Sequence, residues 1–239
     1  MPEQPVPATY VGAILTAVRS YDQRRIRTTL DEAREALGTG LSLEEVVMVV
    51  LRITGLLQSR GTMDASHERL LSGAITRWLA GRTALAGDAT REGTVLLAAG
   101  PEDLGTVTLD TITLDCFHLL LAEQGVEVYN LGAHIPVAAV VLVVGTVQPN
   151  AVVMVSNTPT AASHAARSVT TLVQTGYPVY VAGTAFDSQF DQEHNDGMLL
   201  EHTMDGSVAR ITERHTHLLV VGRPPSPAAG VAGQPVARR

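Results

Sequence analysis

The chain has almost nothing to crosslink it, no run long enough to enter a membrane and no surplus of positive charge. Its 239 residues include a single cysteine, Cys116, so no internal disulfide can form. The start, Met1-Pro2-Glu3-Gln4, lacks the basic residues and apolar core of a secretory signal. A cytoplasmic setting is the expectation from these two features. The longest apolar runs, such as Val137 to Val144 and Ala151 to Val155, fall far short of the roughly 20 residues that cross a bilayer, and no membrane association is expected. Net charge is -7, without a basic run. Nucleic-acid surfaces need clustered Lys and Arg whose phosphate contacts release counterions, so direct nucleic-acid binding is not expected either. What the chain does have is apolar side chains, 45% against 17% charged, which suits one large or two ordinary cores and excludes disorder over most of the length.

Two organisations follow one another. Up to about Arg82, apolar residues recur at helical spacing, as in Leu43, Val46, Val47, Val50, Leu51 and again in Leu71, Ile75, Trp78, Leu79. Four helices are expected, over 8–19, 21–37, 43–58 and 64–82. Ser42 with Glu45 reads as a capping box, and Gly61-Thr62-Met63-Asp64 as a break. Short loops between the helices predict a bundle over 1–90. After Ala86-Gly87-Asp88-Ala89-Thr90 the pattern changes to short β-branched runs: Thr94 to Ala98, Val126 to Asn130, Ala151 to Val155, Val179 to Val181 and a weaker Met198 to Leu200. Helix-length segments lie between and after them, near 105–124, 136–147, 160–175 and 203–214. This alternation predicts an α/β domain over 91–221 with a buried parallel sheet of five strands. The Pro-, Gly- and Ala-rich stretch 222–239 reads as a flexible tail.

Parallel sheets bind ligands beyond the carboxyl ends of their strands. Four loops are therefore singled out: Gly100-Pro101-Glu102-Asp103, Leu131-Gly132-Ala133-His134, Ser156-Asn157-Thr158 and Gly183-Thr184-Ala185-Phe186. Ser156 and Thr158 offer short hydroxyls, Gly183 allows close backbone approach, and Thr184 and Ala185 continue that turn. His134 is the candidate metal ligand or proton donor. The pair His215 and His217 has metal spacing without a third ligand nearby, and residues 191–197 only superficially resemble a calcium loop. No Gly-x-Ser-x-Gly and no glycine-rich phosphate loop occurs, so no local motif points to independent catalysis.

The order of bundle then sheet, with several stretches, resembles the cobalamin (B12)-binding family: methionine synthases, corrinoid methyltransferase partners and light-sensing regulators of the CarH and LitR type. Gly55-Leu56-Leu57-Gln58-Ser59-Arg60-Gly61 is similar to the family's glycine-flanked tryptophan segment. Ala65-Ser66-His67-Glu68-Arg69-Leu70-Leu71-Ser72 is similar to its Glu-His helix start. Val126 to Gly132 with Pro136 resembles the second strand and its exit, Val155-Ser156 the serine of the third-strand loop, and Val181 to Asp187 the glycine turn after the fourth. The resemblance covers residues 15 to 215 and implies a four-helix bundle followed by a flavodoxin- or Rossmann-like parallel sheet. It also implies a cobalamin held between the two, with the nucleotide tail beside Ser156, Thr158 and Gly183.

The departures fall on the metal-facing positions. Gln58 stands where light-sensing members carry the tryptophan that covers the upper cobalamin face, and Arg69 stands where the partner histidine of Glu68 would be. The family's Asp-x-His-x-x-Gly maps onto Thr108 to Thr113, which puts Asp110 at the lower cobalt-ligand position. Arginine has no lone pair for a metal, although it holds carboxylates in bidentate fashion. The expectation is therefore a tetrapyrrole-binding regulatory or sensory protein. Cobalamin, biliverdin and heme stay open as ligands. Gln58, Glu68 and Arg69 are expected to face Asp110 and His134 across one cavity, and a light response and a regulatory protein partner are both in view. The alternative is a corrinoid carrier or enzyme subunit for methyl transfer or rearrangement, or a ligand-free interaction domain. Homo-oligomerisation stays open.

Overall fold

The computed structural model describes residues 6–91, 93–100, 107–158, 161–186, 198–200 and 203–221. Helix α1 (Pro7–Arg19) begins on a proline, whose missing N–H costs nothing in the first turn. It buries Val11, Ile14, Ala17 and Val18, one stripe at i, i+3 and i+4 spacing. Helix α2 (Gln23–Leu37) is capped by the Asp22 carboxylate, which accepts the Arg25 N–H at 2.8 Å, and it buries Ile26, Thr29, Leu30 and Ala33. Gly38, at a φ of 83° that favours glycine, ends it.

The chain then turns directly into α3 (Thr39–Ser42), a π-helical stretch (Leu43–Met48) and α4 (Val49–Ser59). The capping box expected at Ser42 and Glu45 does not form. The helix has already begun at Thr39, so Ser42 lies inside it and its hydroxyl donates to the Thr39 carbonyl at 2.8 Å. A box forms instead at the start of α5 (Ala65–Leu85): the Asp64 carboxylate accepts the N–H groups of Ser66 and His67, and the His67 ring accepts from the Asp64 N–H.

Five parallel strands follow: β1 (Thr94–Ala99), β2 (Glu127–Asn130), β3 (Ala151–Val155), β4 (Val179–Ala182) and β5 (Met198–Leu199), ordered β2-β1-β3-β4-β5. Val95 lies opposite Val128 on one side and Ala151 on the other. The expected α/β class and parallel five-stranded sheet are what the structure shows. Side chains alternate between the two faces as strand pleating requires. Val95, Leu97, Ala99, Val153, Val155 and Tyr180 join a core with the bundle. Leu96, Ala98, Val152, Met154 and Val181 join a second core with α7 (Val137–Val147) and α8 (Ala162–Val173). Helices α6 (Val107–Glu123) and α9 (Met204–Val221) cover the bundle side.

Helix α6 explains how the two parts meet. It buries Ile112, Leu114, Cys116, Phe117, Leu119, Leu120 and Leu121, a wide apolar face beside a half-buried stripe of Thr111, Asp115, His118 and Ala122. An apolar face this wide has to be covered from more than one side. The sheet covers one side, and α5, with which α6 packs along its length, covers the other. The linker is tied in as well, since the N–H groups of Thr90 and Arg91 both donate to the Gly125 carbonyl at 2.9 Å. Among the described residues no helix is long and apolar enough to cross a membrane. The tail 222–239, the loop 101–106 and the calcium-like segment 191–197 lie outside the described residues, as do the side chains of His215 and His217.

The Asp64 cap carries a pH dependence. Hydrogen bonds from the Ser66 hydroxyl and the His67 backbone N–H hold its carboxyl at about 2, down from the ordinary 3.8. A carboxyl lowered by folding stabilises fully above its unfolded pKa, and that contribution is lost as pH falls through the folded value. Thermal melts of Asp64→Ala are expected to show a lower Tm near neutrality and a shallower further loss than the parent between about pH 4 and about pH 2. Parallel profiles for the two proteins would refute the assignment.

Candidate functional site

In the strand order β2-β1-β3-β4-β5 the connections leave β1 toward opposite sides, and a crevice opens above the carboxyl ends of β1 and β3. The side chains there are locked together. Asp110, in the first turn of α6 and only 1% exposed, accepts the Asn157 backbone N–H at 2.9 Å and the Asn157 side-chain amide at 2.7 Å. That amide also donates to the Thr113 hydroxyl at 3.2 Å. The Thr184 hydroxyl donates to the Asn157 carbonyl at 2.8 Å. The Ala185 N–H donates to the Ser156 carbonyl at 3.1 Å, and the Ser156 N–H to Ala182 at 3.0 Å. Gly183 has a φ of +109°, and a Cβ there would lie 2.2 Å from the Ser156 carbonyl oxygen. Only glycine fits that crossing. Helix α6 and the exits of β3 and β4 are thus one rigid corner, and the negative charge of Asp110 is favoured by the α6 N-terminus.

A second tie holds the exit of β2. The Asn130 amide donates to Asp115 at 3.0 Å and accepts the Gly132 N–H at 2.9 Å. Burial pushes the Asp115 carboxyl up, only partly opposed by that amide, and burial pushes the nearby His118 down. Gly132 and His134 both take left-handed backbone, at φ 78° and 62°, and His134 is half-buried in this turn.

Beside the β3–β4 corner lies a cleft of about 330 Å³. Its sheet side is formed by Asn157, Gly183, Thr184 and Leu199, and α6 contributes Thr113 and Phe117. The bundle contributes Glu44, Glu45, Met48, Val49 and Arg52, from the π-helical stretch and the start of α4. Thr203, Met204 and Ser207 close it from α9. Glu44 fastens the two parts, accepting the Met204 N–H at 3.2 Å. The π-helical stretch sits on this wall, in keeping with the frequent placement of such insertions at functional sites.

The expected site residues divide into groups. Gly183 and Thr184 line the cleft. Asp110, Ser156 and Ala185 form the corner beneath it, and Thr158, 8% exposed, follows on the same loop. Gln58 ends α4 and Glu68 begins α5, both half-buried, with Arg69 exposed beside them. His134 and Gly132 belong to the β2 exit. None of Gln58, Glu68, Arg69 or His134 lines this cleft. Sequence reasoning missed the bundle wall of Glu44, Glu45, Met48 and Arg52. It also missed Asn157, although the loop carrying it was singled out.

No family model matches the chain, and no curated protein matches it. Solved structures do. The monomethylamine corrinoid protein of Methanosarcina barkeri aligns over 91% of this chain and 100% of its own, at 12% identity and a TM-score of 0.63. The chain has the fold of that corrinoid protein. Two further matches are the methanol:cobalamin methyltransferase complex of the same organism (TM-score 0.44, 18% identity, 89% of this chain and 82% of that one) and a cobalamin-binding protein from Desulfitobacterium hafniense DCB-2 (TM-score 0.42, 16% identity, 85% and 98%).

The donors of this corrinoid-protein fold can be weighed against such a ligand. The Thr203 hydroxyl, and the side-chain oxygens of Asn157 and Thr184 as acceptors, suit the carboxamide arms of a corrin rim, and Arg52 suits a phosphodiester, with Glu44 and Glu45 on the same wall. The cleft therefore fits the periphery and tail of a corrinoid. Ligation of its cobalt by the chain at position 110 does not fit, because Asp110 Oδ1 is held by two Asn157 donors and the residue is closed off from solvent. Among the described residues no three His, Cys, Asp or Glu side chains are grouped to hold a metal ion.

Two substitutions test the corner. Asp110→Ala leaves the Asn157 donors without their acceptor and is expected to cost about 1–3 kcal/mol in urea unfolding. Gly183→Ala meets the Ser156 carbonyl and a disfavoured φ, and is expected to cost at least roughly 1–3 kcal/mol. Loss near zero for both would show that the corner is not rigid.

Proposed function

We propose that the protein holds a corrinoid, as a carrier or subunit of the corrinoid-protein kind, between its bundle and the carboxyl ends of β3–β5. The observation that supports this reading most is the cleft itself. It lies where parallel sheets bind ligands, is roofed by the bundle, and belongs to a fold shared end to end with a corrinoid protein. The side-chain oxygens of Thr184 and Asn157 would accept from carboxamide arms on the sheet side, Thr203 would hold one just before α9, and Arg52 a phosphate from the bundle side. A corrinoid supplies, when bound, a cobalt centre that accepts and passes on an alkyl group. The protein's own part is to bind, to orient and to keep water from one face. With Asp110 engaged by Asn157, the part of that side chain is to hold the β3 loop in place beneath the ligand.

The fold similarity supports the carrier reading over a sensory or light-responsive one, and supports a corrinoid over heme or biliverdin. The sole thiol argues further against a covalently attached bilin. Cys116 is wholly buried and burial, with Asp115 beside it, pushes its pKa far up, so no thiolate is presented. Domain independence at about Thr90, a regulatory partner and homo-oligomerisation remain parts of the proposal.

The experiment is retention through desalting after incubation with hydroxocobalamin, hemin or biliverdin, read by absorbance. Cobalamin is expected to stay and the other two to pass through. Arg52→Ala combined with Thr184→Val is expected to weaken retention about tenfold or more, the size of one charge-assisted hydrogen bond. His134→Ala is expected to leave the cobalt spectrum unchanged, because His134 lies outside the cleft. Failure to retain cobalamin would sink the proposal. A change of molecular mass on illuminating protein loaded with adenosylcobalamin would favour the sensory reading instead.

A further inference from the structure

On the outer face of the bundle, away from the corrinoid cleft, α2 and α5 enclose a groove of about 390 Å³ lined by Gln23, Arg24, Arg27, Ala74, Arg77 and Trp78. The sequence places three guanidinium groups there. Arg24 and Arg27 are three residues apart and so share one face of α2, and Arg77 comes from α5. Gly73 makes room for the third: a Cβ at that position would stand 3.3 Å from Arg77 Nη1, so the guanidinium lies close along its own helix.

These three arginines differ from their neighbours. Arg25 pairs with Glu32, Arg34 with Glu123 and Arg82 with Asp31. Among the described residues no carboxylate comes within ion-pair distance of Arg24, Arg27 or Arg77. The one acid beside them is already engaged, since Asp31 accepts the Trp78 indole N–H at 2.7 Å and bonds Arg82. These hydrogen bonds outweigh the opposing effect of burial, and with Arg27 at longer range they hold the Asp31 carboxyl below its ordinary value. In a chain of net charge -7 that uses arginine for every basic side chain, three unpaired guanidinium groups around one groove form a local positive field. Guanidinium forks match phosphate oxygens two at a time. Trp78, 4% exposed, lines the groove but is too deeply buried to offer a face on which a base could stack.

We propose that this groove is a binding site for a small, multiply charged phosphate anion of the inorganic polyphosphate class, gripped by Arg24, Arg27 and Arg77. Trp78 is the only tryptophan of the chain, so its emission reports directly on the groove. Tripolyphosphate titrated into the full chain at constant ionic strength is expected to give a saturable change in that emission, with affinity at least about tenfold above that for sulfate. Arg24→Gln, Arg27→Gln and Arg77→Gln are each expected to weaken it about tenfold, one charge-assisted hydrogen bond apiece. Arg25→Gln, whose parent side chain is paired with Glu32, is expected to leave it unchanged. The proposal is overturned by an equal response to sulfate, by a response that survives Arg27→Gln with Arg77→Gln, by binding of an acidic peptide but not of tripolyphosphate, or by no change in either emission or Tm.

Discussion

Everything in this molecule depends on covering α6. A 17-residue helix with so wide an apolar face can turn only the stripe of Thr111, Asp115, His118 and Ala122 toward water, and burying its leucines is worth about 1.5–3 kcal/mol each. The sheet can shield only the face that looks toward β1 and β3. The bundle must shield the rest, and for that reason one continuous core runs from α1 to β3. The same requirement brings the wall formed by the π-helical stretch and α4 down over the β4 exit, and so makes the cleft.

The first turn of α6 shows how a shared frame can carry altered chemistry. In the resemblance that the sequence suggests, this turn supplies an imidazole to a metal. Here it supplies Asp110, whose carboxylate faces inward to the β3 loop and ties Asn157, Thr113 and Thr184 into one corner. A buried carboxylate is tolerated only with donors aimed at it, and Asn157 provides two. The residue that departs from the family pattern has become part of the support of the site. The cleft beside it is lined by neutral hydroxyls, an amide, one arginine and the carboxylates of Glu44 and Glu45.

Much of this could be read beforehand, and the reasons are physical. Strands buried on both faces have to be apolar almost throughout, so Ala151 to Val155 and its partners stand out as runs. Loops after such strands hold ligands in any doubly wound sheet, which is how Gly183 and Thr184 were found. The beginning of the third bundle helix was misjudged, because Ser42 with Glu45 has the local form of a cap. Whether a serine caps depends on where the preceding turn ends, and Gly38 ended it four residues earlier. The π-helical stretch has no sequence signature, since inserting an extra residue into a helix is decided by what packs against it.

Order of elements, strand positions and the loops at the carboxyl edge of the sheet were determined by the amino-acid sequence alone, because they rest on period, composition and residue identity within a few neighbours. Contacts between residues far apart were decided by the tertiary structure. Asp110 and Asn157 are 47 positions apart, Glu44 and Met204 are 160 apart, and Arg24 meets Arg77 only because α2 and α5 pack together. Such pairings have no local cause. They follow from burying the wide apolar face of α6 and the bundle's own core, and that global requirement is what brought a row of unremarkable polar residues to one cleft and three arginines to one groove.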